Sequence, residues 1–187
     1  MAVLRFEGCI LVVSGNTIKS LGLAAAAGMA LLSFGPQAAQ ARETASFLYQ
    51  YPAGVIVIKH SERKLYLTLG DGRAIRYPVA IGKSGNAWRG QAHIQGKYVR
   101  PDWSPPAVVK AAVPSLPNLI PGGSPRNPMG ERALTLDRSE IAIHGTTQAM
   151  RRSIGTAASF GCIRMLNEDV VDLYDRVSVG TPVVAIP

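Results

Sequence analysis

From Val55 onward the chain is built of short apolar runs separated by polar breaks. Val55-Ile-Val-Ile58 and Leu65-Tyr-Leu-Thr-Leu69 are β-branched and apolar, and Ser61-Glu-Arg-Lys64 between them predicts a turn. Gly70-Asp-Gly72 predicts a second turn, leading into Ala74-Ile-Arg-Tyr-Pro-Val-Ala80. Ala133-Leu-Thr-Leu136, Ile141-Ala-Ile-His144 and Pro182-Val-Val-Ala-Ile186 continue the series. Strands this short and this close predict a mainly β domain, an antiparallel meander closing as a sandwich or barrel. One stretch has a different period: Val170, Leu173, Tyr174 and Val177 recur at helical spacing, so a helix is expected over 167–177. Asn167 is expected to cap it, with Glu168 and Asp169 in the first turn, where the helix dipole favours acids.

Two stretches carry neither period. Glu43 to Pro52 reads as a short leader, residues 42–53 in all. Between Pro101 and Pro128 stand eight prolines and Gly122-Gly123, so most of this segment is expected to be loop, because proline lacks the amide a central strand needs. Pro106 to Val113 is long enough for one short helix with proline at its start. A loop of this length in a compact domain is commonly a lid over a cleft. The alternative is disorder, and Trp103, Leu116, Leu119 and Ile120 supply anchors that a disordered linker would lack.

Upstream, Arg5 and Lys19 precede the apolar run Leu21–Phe34, Pro36 breaks it, and Ala39-Gln40-Ala41 has a small-x-small pattern. Residues 1–41 are therefore expected to be a secretory signal, cleaved after Ala41. The run falls short of the roughly 20 apolar residues that span a bilayer; a buried N-terminal helix is the alternative. The full chain of 187 residues has 20 basic and 12 acidic side chains, net +8, and removing residues 1–41 would leave +7. Such a balance raises nucleic acid as a partner, but no Lys/Arg cluster with interleaved aromatics is present. An anionic surface outside the cytoplasm, in the cell envelope or periplasm, suits the charge as well.

Export changes the meaning of the cysteines. Cys9 falls in the segment to be removed, so Cys162, in Ser159-Phe-Gly-Cys-Ile-Arg-Met165, would be unpaired in an oxidising compartment. A thiol that works as a nucleophile needs a base or a cation beside it. His144, ending an apolar strand and followed by Gly145, is the candidate: a thiolate–imidazolium pair would form, and the imidazolium would protonate a departing amine. The backbone amides of Gly161 and Cys162 are expected to face a tetrahedral oxyanion. Arg164 has the geometry to hold a carboxylate through two bonds. Each residue also has a structural alternative: Cys162 as a small buried apolar group, His144 as a strand-end residue, Arg164 as half of a surface ion pair. A metal site from His60, His93, His144 and Cys162 lacks ligand spacing, so no metal is expected.

His144, fourteen residues, then Ser159-Phe-Gly-Cys162 resembles the signature of the L,D-transpeptidase catalytic domain, also called the YkuD domain. NPMGERALTL, IHGT, CIRM and NEDVVDLYDRVSVGTPVVAI around it, and GKSGNAW and PDWSPP upstream, resemble one branch of the family, covering 54–187. Two positions depart from the pattern: Phe160 stands where many members have a second histidine, and Trp88-Arg-Gly90 replaces a Thr-Pro-x-Gly stretch. The resemblance implies a mainly β sandwich or barrel with a Pro-rich lid and one helix after the cysteine. It implies Cys162 as nucleophile and His144 as proton carrier, with Arg164, Gly145, Ser159 and Trp103 around the substrate. It further implies peptidoglycan stem peptides as substrates, with no metal or organic cofactor. A tetrapeptide would be cut before its terminal D-alanine, the thioester passed to an amine (a second stem or an outer-membrane protein), and carbapenems would acylate the thiol. Water as acceptor would give a carboxypeptidase. Outside catalysis the alternative is an inactive wall-binding domain. Papain-like wall amidases are disfavoured because their cysteine precedes the histidine, and here His144 comes first.

Overall fold

Ten strands and two helices make up the computed structural model over residues 42–187, the residues the structure describes; the expected signal, 1–41, lies outside them. The strands are β1 Glu43–Ser46, β2 Ile56–Lys59, β3 Lys64–Gly70, β4 Arg73–Gly82 and β5 Gly90–Val99, followed after helix α1 (Ala107–Ala112) by β6 Arg132–Leu136 and β7 Ala142–His144. A 3₁₀ turn, Gln148–Ser153, precedes β8 Ala157–Ser159 and β9 Ile163–Met165; helix α2 Asn167–Arg176 and β10 Pro182–Ile186 finish the chain.

Strand order runs β1-β4-β3-β2-β10-β5-β6-β7-β9, and β9 pairs back onto β4, so the path from β4 to β9 closes into a barrel-like ring. The ten-residue β4 makes this closure possible. Its first half pairs with β3, while Val79 and Ala80 pair with β9 and Ile81–Gly82 with β8. Pro78 sits where β4 leaves β3, opposite Lys64 at that strand's first residue, a place where a missing amide breaks little. The ring is not a pure meander. β10 enters between β2 and β5, parallel to β2, and β9 lies parallel to β7.

Side-chain alternation sorts these strands into two apolar faces. Ile56, Ile58, Leu65, Leu67, Ile75, Tyr77, Val183 and Ala185 point into the main core, joined by Ala92 and Ile94 of β5. Val57, Tyr66 and Ala74 point the other way, into a second cluster flanked by Val184 and Ile186. That outer face needs a cover, and the N-terminal segment supplies it. β1 pairs antiparallel with β4, and Phe47, 4% exposed, packs its ring 4.8 Å from that of Tyr66. The stretch expected to be a leader of little periodicity is thus a strand and a buried anchor.

α2 lies across β6 and β7 and inserts Val170 and Leu173, both fully buried, into the main core. Burying such side chains contributes about 1.5–3 kcal/mol each. Leu166, not Asn167, is its N-cap. The Pro-rich segment is ordered. Trp103 and Ile120 form an isolated antiparallel bridge (N–H···O 2.9 and 2.8 Å), and the buried Asn127 amide donates to the carbonyls of Pro101, Ile120 and Pro121 at 2.9–3.1 Å. Among the described residues no helix is long and apolar enough to cross a membrane.

Candidate active site

β7 and β9 are parallel neighbours in which Ile143 pairs with Ile163 and His144 with Arg164. Both isoleucines are fully buried in the main core. Alternation then turns the residues before and after them to the opposite face, which is where His144, Cys162 and Arg164 meet. These three line one cavity of about 330 Å³, roofed by Trp103, Pro106 and Met129. The fourteen-residue spacer is the excursion through the 3₁₀ turn and β8 that brings the chain back beside its own earlier strand.

Two glycines are required by this construction. Gly161 has φ 128°, and a Cβ there would meet Ile141 Cδ1 at 2.8 Å. At Gly145 a Cβ would lie 2.2 Å from Asn167 Oδ1.

The imidazole orientation follows from its hydrogen bonds. His144 Nδ1 lies 2.8 Å from the carbonyl of Gly145 and 3.0 Å from that of Pro128. Carbonyls only accept, so Nδ1 carries the hydrogen and the neutral ring has its lone pair on Nε2. Burial, with the positive charge of Arg164 beside it, pushes the His144 pKa down to about 4 against the pull of the two carbonyls. Burial also pushes the Cys162 thiol up, and the charge of Glu140 adds to this; the Ala142 N–H and Arg164 act the other way. At neutral pH the resting pair is therefore thiol and neutral imidazole. The thiolate–imidazolium pair expected from the sequence is disfavoured, because burial penalises both charged forms. The thiol donates instead to the carbonyl of Glu140, 3.5 Å away.

Arg164 is 8% exposed, donates from Nη1 to Ser153 Oγ at 2.7 Å, and leaves its Nε buried without a partner. An unpaired guanidinium N–H on a cavity wall suits an anionic oxygen. Trp103 borders the cavity. Phe160 borders it too, with Lys83 Nζ 5.2 Å from the centre of its ring.

Three expected residues have other work. The Ser159 hydroxyl donates to the carbonyl of Cys162 (2.6 Å) and accepts from the N–H of Gly161 (3.1 Å), so it shapes the turn before the cysteine, while the residue also lines the cavity. The same bond occupies the Gly161 amide, which is therefore not free for the oxyanion expected of it. Gly145 sends its N–H to the carbonyls of Met129 (2.9 Å) and Arg132 (3.0 Å) and does not line the cavity.

Asn167 was legible only as a cap. Its Oδ1 accepts from the N–H groups of Thr146 (2.9 Å) and Glu131 (3.2 Å), and its Nδ2 donates to the Thr146 carbonyl at 2.9 Å. It thereby ties α2 to the loop that follows His144. His60 and His93 stand apart from the cavity, His60 buried and His93 against Asp137. Among the described residues no three His, Cys, Asp or Glu side chains converge as metal ligands would.

Comparison with known proteins gives a consistent result. The L,D-transpeptidase catalytic domain family, YkuD, matches residues 53–184. The chain is 38% identical over 137 residues to the probable L,D-transpeptidase YbiS of Escherichia coli K12, covering 68% of this chain and 43% of YbiS; it thus spans less than half the length of that relative. It is 31% identical over 179 residues to the putative L,D-transpeptidase in the ATP synthase subunits region, ORF 5, of Fuscovulum blasticum, covering 88% of this chain and 93% of the other. An L,D-transpeptidase from Mycobacterium smegmatis has the same fold, with a TM-score of 0.56 and 18% identity over 71% of this chain and 58% of its own.

Proposed function

The chain belongs to the L,D-transpeptidase catalytic domain family, and from that premise we propose that it transfers acyl groups between peptidoglycan stem peptides through Cys162. The observation that carries this is the convergence of His144 and Cys162, from the ends of adjacent parallel strands, on one cavity with the buried Arg164, whose Nε has no partner. A stem tetrapeptide enters with the carboxylate of its terminal D-alanine toward Arg164. The thiol rotates from the Glu140 carbonyl toward His144, whose Nε2 takes the proton as sulfur attacks the carbonyl before D-alanine. Negative charge develops on that oxygen near the Cys162 amide. The C–N bond breaks, D-alanine leaves with the proton held by His144, and a thioester remains. An amine then attacks the thioester, giving up a proton through His144, and the sulfur departs as thiol. Water in place of the amine gives the hydrolysed tripeptide.

Incubating the purified chain with tetrapeptide muropeptides and separating products by mass tests this. Released D-alanine with cross-linked dimer is expected, and intact tetrapeptide would overturn the assignment. A carbapenem, whose strained ring presents an activated carbonyl, is expected to add once, on the peptide holding Cys162. The enzyme works in the cell envelope after losing residues 1–41. The charged start, short apolar run and Ala39-Gln40-Ala41 support this, and intact mass of the envelope form, expected to begin at Arg42, checks it.

A further inference from the structure

Residues 72–101 and 141–167 contain no Asp or Glu, and the fold lays part of one stretch against part of the other. They meet a third basic segment along one edge of β4. Pro78 faces Lys64; the Val79 N–H donates to the Arg63 carbonyl (3.1 Å), and the Val79 carbonyl accepts from the Gly155 N–H (3.0 Å). Further on, the Ile81 N–H donates to the Thr156 carbonyl (3.1 Å) and the Lys83 N–H to that of Ser159 (2.9 Å). Lys64, Arg63, residues 155–159 and Lys83 thus follow one another along the second half of β4, over about 17 Å at the rise of a strand. Arg152 joins them from the 3₁₀ turn, which the Thr156 N–H ties to this segment through the Ser153 carbonyl (3.1 Å). Arg63, Lys83 and Arg152 are exposed and Lys64 half-buried, and none of the four has an acidic partner among the described residues. The acids at either end are engaged elsewhere: Glu62 by Lys59 and the Tyr66 hydroxyl, Glu168 by Arg151 through bonds of 2.7 and 2.9 Å. On the first half of β4 the opposite holds, since Arg73 and Arg76 are paired with Asp71 and Glu43. The basic band leads to the catalytic cavity. Met150, Ala158 and Phe160, from the same turn and segment, line that cavity.

Resting on the acyl-transfer reading above, we propose that this band holds polymeric peptidoglycan while one of its stem peptides occupies the cavity. Stem tetrapeptides end in carboxylates, so a polymer carrying many of them is a polyanion. A donor stem that reaches Cys162 brings neighbouring stems of the same polymer across the adjoining surface. Unpaired guanidinium and ammonium groups attract their carboxylates there. Gly155, Thr156 and Ala157 between the cations are small and exposed, which leaves room for a chain to lie along the band. Each exposed contact adds only about two- to fivefold in affinity, but several in a row make a salt-sensitive grip. A free muropeptide, bearing one stem, fills the cavity without using it. The band binds the polymer and takes no part in the chemistry.

Co-sedimentation of the purified chain with insoluble peptidoglycan sacculi tests this, each variant first shown by circular dichroism to be folded. Arg63→Gln with Arg152→Gln is expected to weaken binding roughly three- to twentyfold at low salt and to flatten its dependence on ionic strength. Arg73→Gln with Arg76→Gln removes the same charge from the other half of β4 and is expected to change binding by less than about twofold. D-Alanine release from soluble tetrapeptide muropeptide is expected to be unchanged in both double variants. Release from sacculi by the first is expected to show a raised KM and an unchanged kcat. Equal losses of binding in the two double variants would make net charge the cause and overturn the inference; so would binding that neither pair affects. Vesicles containing phosphatidylglycerol are the second polyanion. If Arg63→Gln with Arg152→Gln loses vesicle binding and keeps sacculus binding, the band belongs to lipid and the inference is overturned. If the wild type releases no D-alanine from soluble muropeptide, the acyl-transfer reading fails and this inference with it. If it releases D-alanine and sacculus binding ignores Arg63 and Arg152, only the role of the band fails.

Discussion

Burial acts on Cys162 and His144 in opposite directions, and both effects keep the pair neutral at rest. A thiolate–imidazolium pair would make the sulfur reactive well below pH 7. The environment described here instead gives an alkylation rate by iodoacetamide that keeps rising past the range of an ordinary thiol. On the acid side, His144 is a competent base wherever it is unprotonated, so kcat/KM is expected to hold its plateau below pH 6.5 and to fall only as pH approaches about 4. A flat alkylation profile down to pH 5 would mean the ion pair forms after all. Phe160→His adds a second imidazole to the cavity wall and is expected to shift that profile while His144 remains required; superimposable profiles would make Phe160 a packing residue. That Cys162, His144 and Arg164 belong together was legible from the lone thiol, the histidine ending an apolar strand and the spacing between them, and the three do line one cavity. The bond between Ser159 and Gly161 was not legible, because it is a property of the folded turn and has no period along the chain. Glu140 left no signal beyond its place in a turn.

Helix α2 shows both how far a pattern reaches and where it stops. Its 3.6-residue period identified the buried face, and its acidic first turn marked the start. Asn167 fits an N-cap by residue type, yet its side chain is spent on Thr146 and Glu131, a tertiary use that local preference does not reveal. Asn167→Ala would leave the Thr146 and Glu131 amides without their acceptor, a loss of about 1–3 kcal/mol. Thermal melting measures that loss, and a fall in kcat at saturating donor would report loosening of the loop behind His144. Asp169, in the same first turn, is buried with one oxygen unpaired, and burial, with the charge of Glu168 added, raises its pKa to about 6. An acid raised above its unfolded value near 3.8 contributes stability below that pH and loses it as pH rises through 6. Asp169→Asn is therefore expected to stabilise the protein by about 1 kcal/mol at pH 8, after allowance for the lost helix-dipole term, with the gain vanishing by pH 4. A constant difference across that range would remove desolvation as its cause.

At the scale of the whole molecule, the mainly β class, with a barrel among its expected forms, and the closing strand β10 followed from apolar runs, while the pairings that close the ring did not. Its closure depends on β4 serving two partners and on two parallel pairings, and neither leaves a mark in hydrophobic spacing. β5 escaped notice because Gly90 and Gly96 and its outward glutamines dilute a run whose inward residues, Ala92 and Ile94, still alternate. The N-terminal strand was missed for a related reason: the need for a cover over Val57, Tyr66 and Ala74 is visible only once both faces of the sheet are known. The assembled ring holds the ends of β7 and β9 side by side, and the central claim is that this juxtaposition makes Cys162 a nucleophile served by His144. The most direct measurement is the rate of D-alanine release from tetrapeptide muropeptide by the wild type, Cys162→Ser and His144→Gln, each first shown by circular dichroism to be folded. Losses of about 10³-fold or more in both variants, and no further loss in the double variant, are the predicted result for residues acting as one unit. Release that survives Cys162→Ser in folded protein would contradict the account.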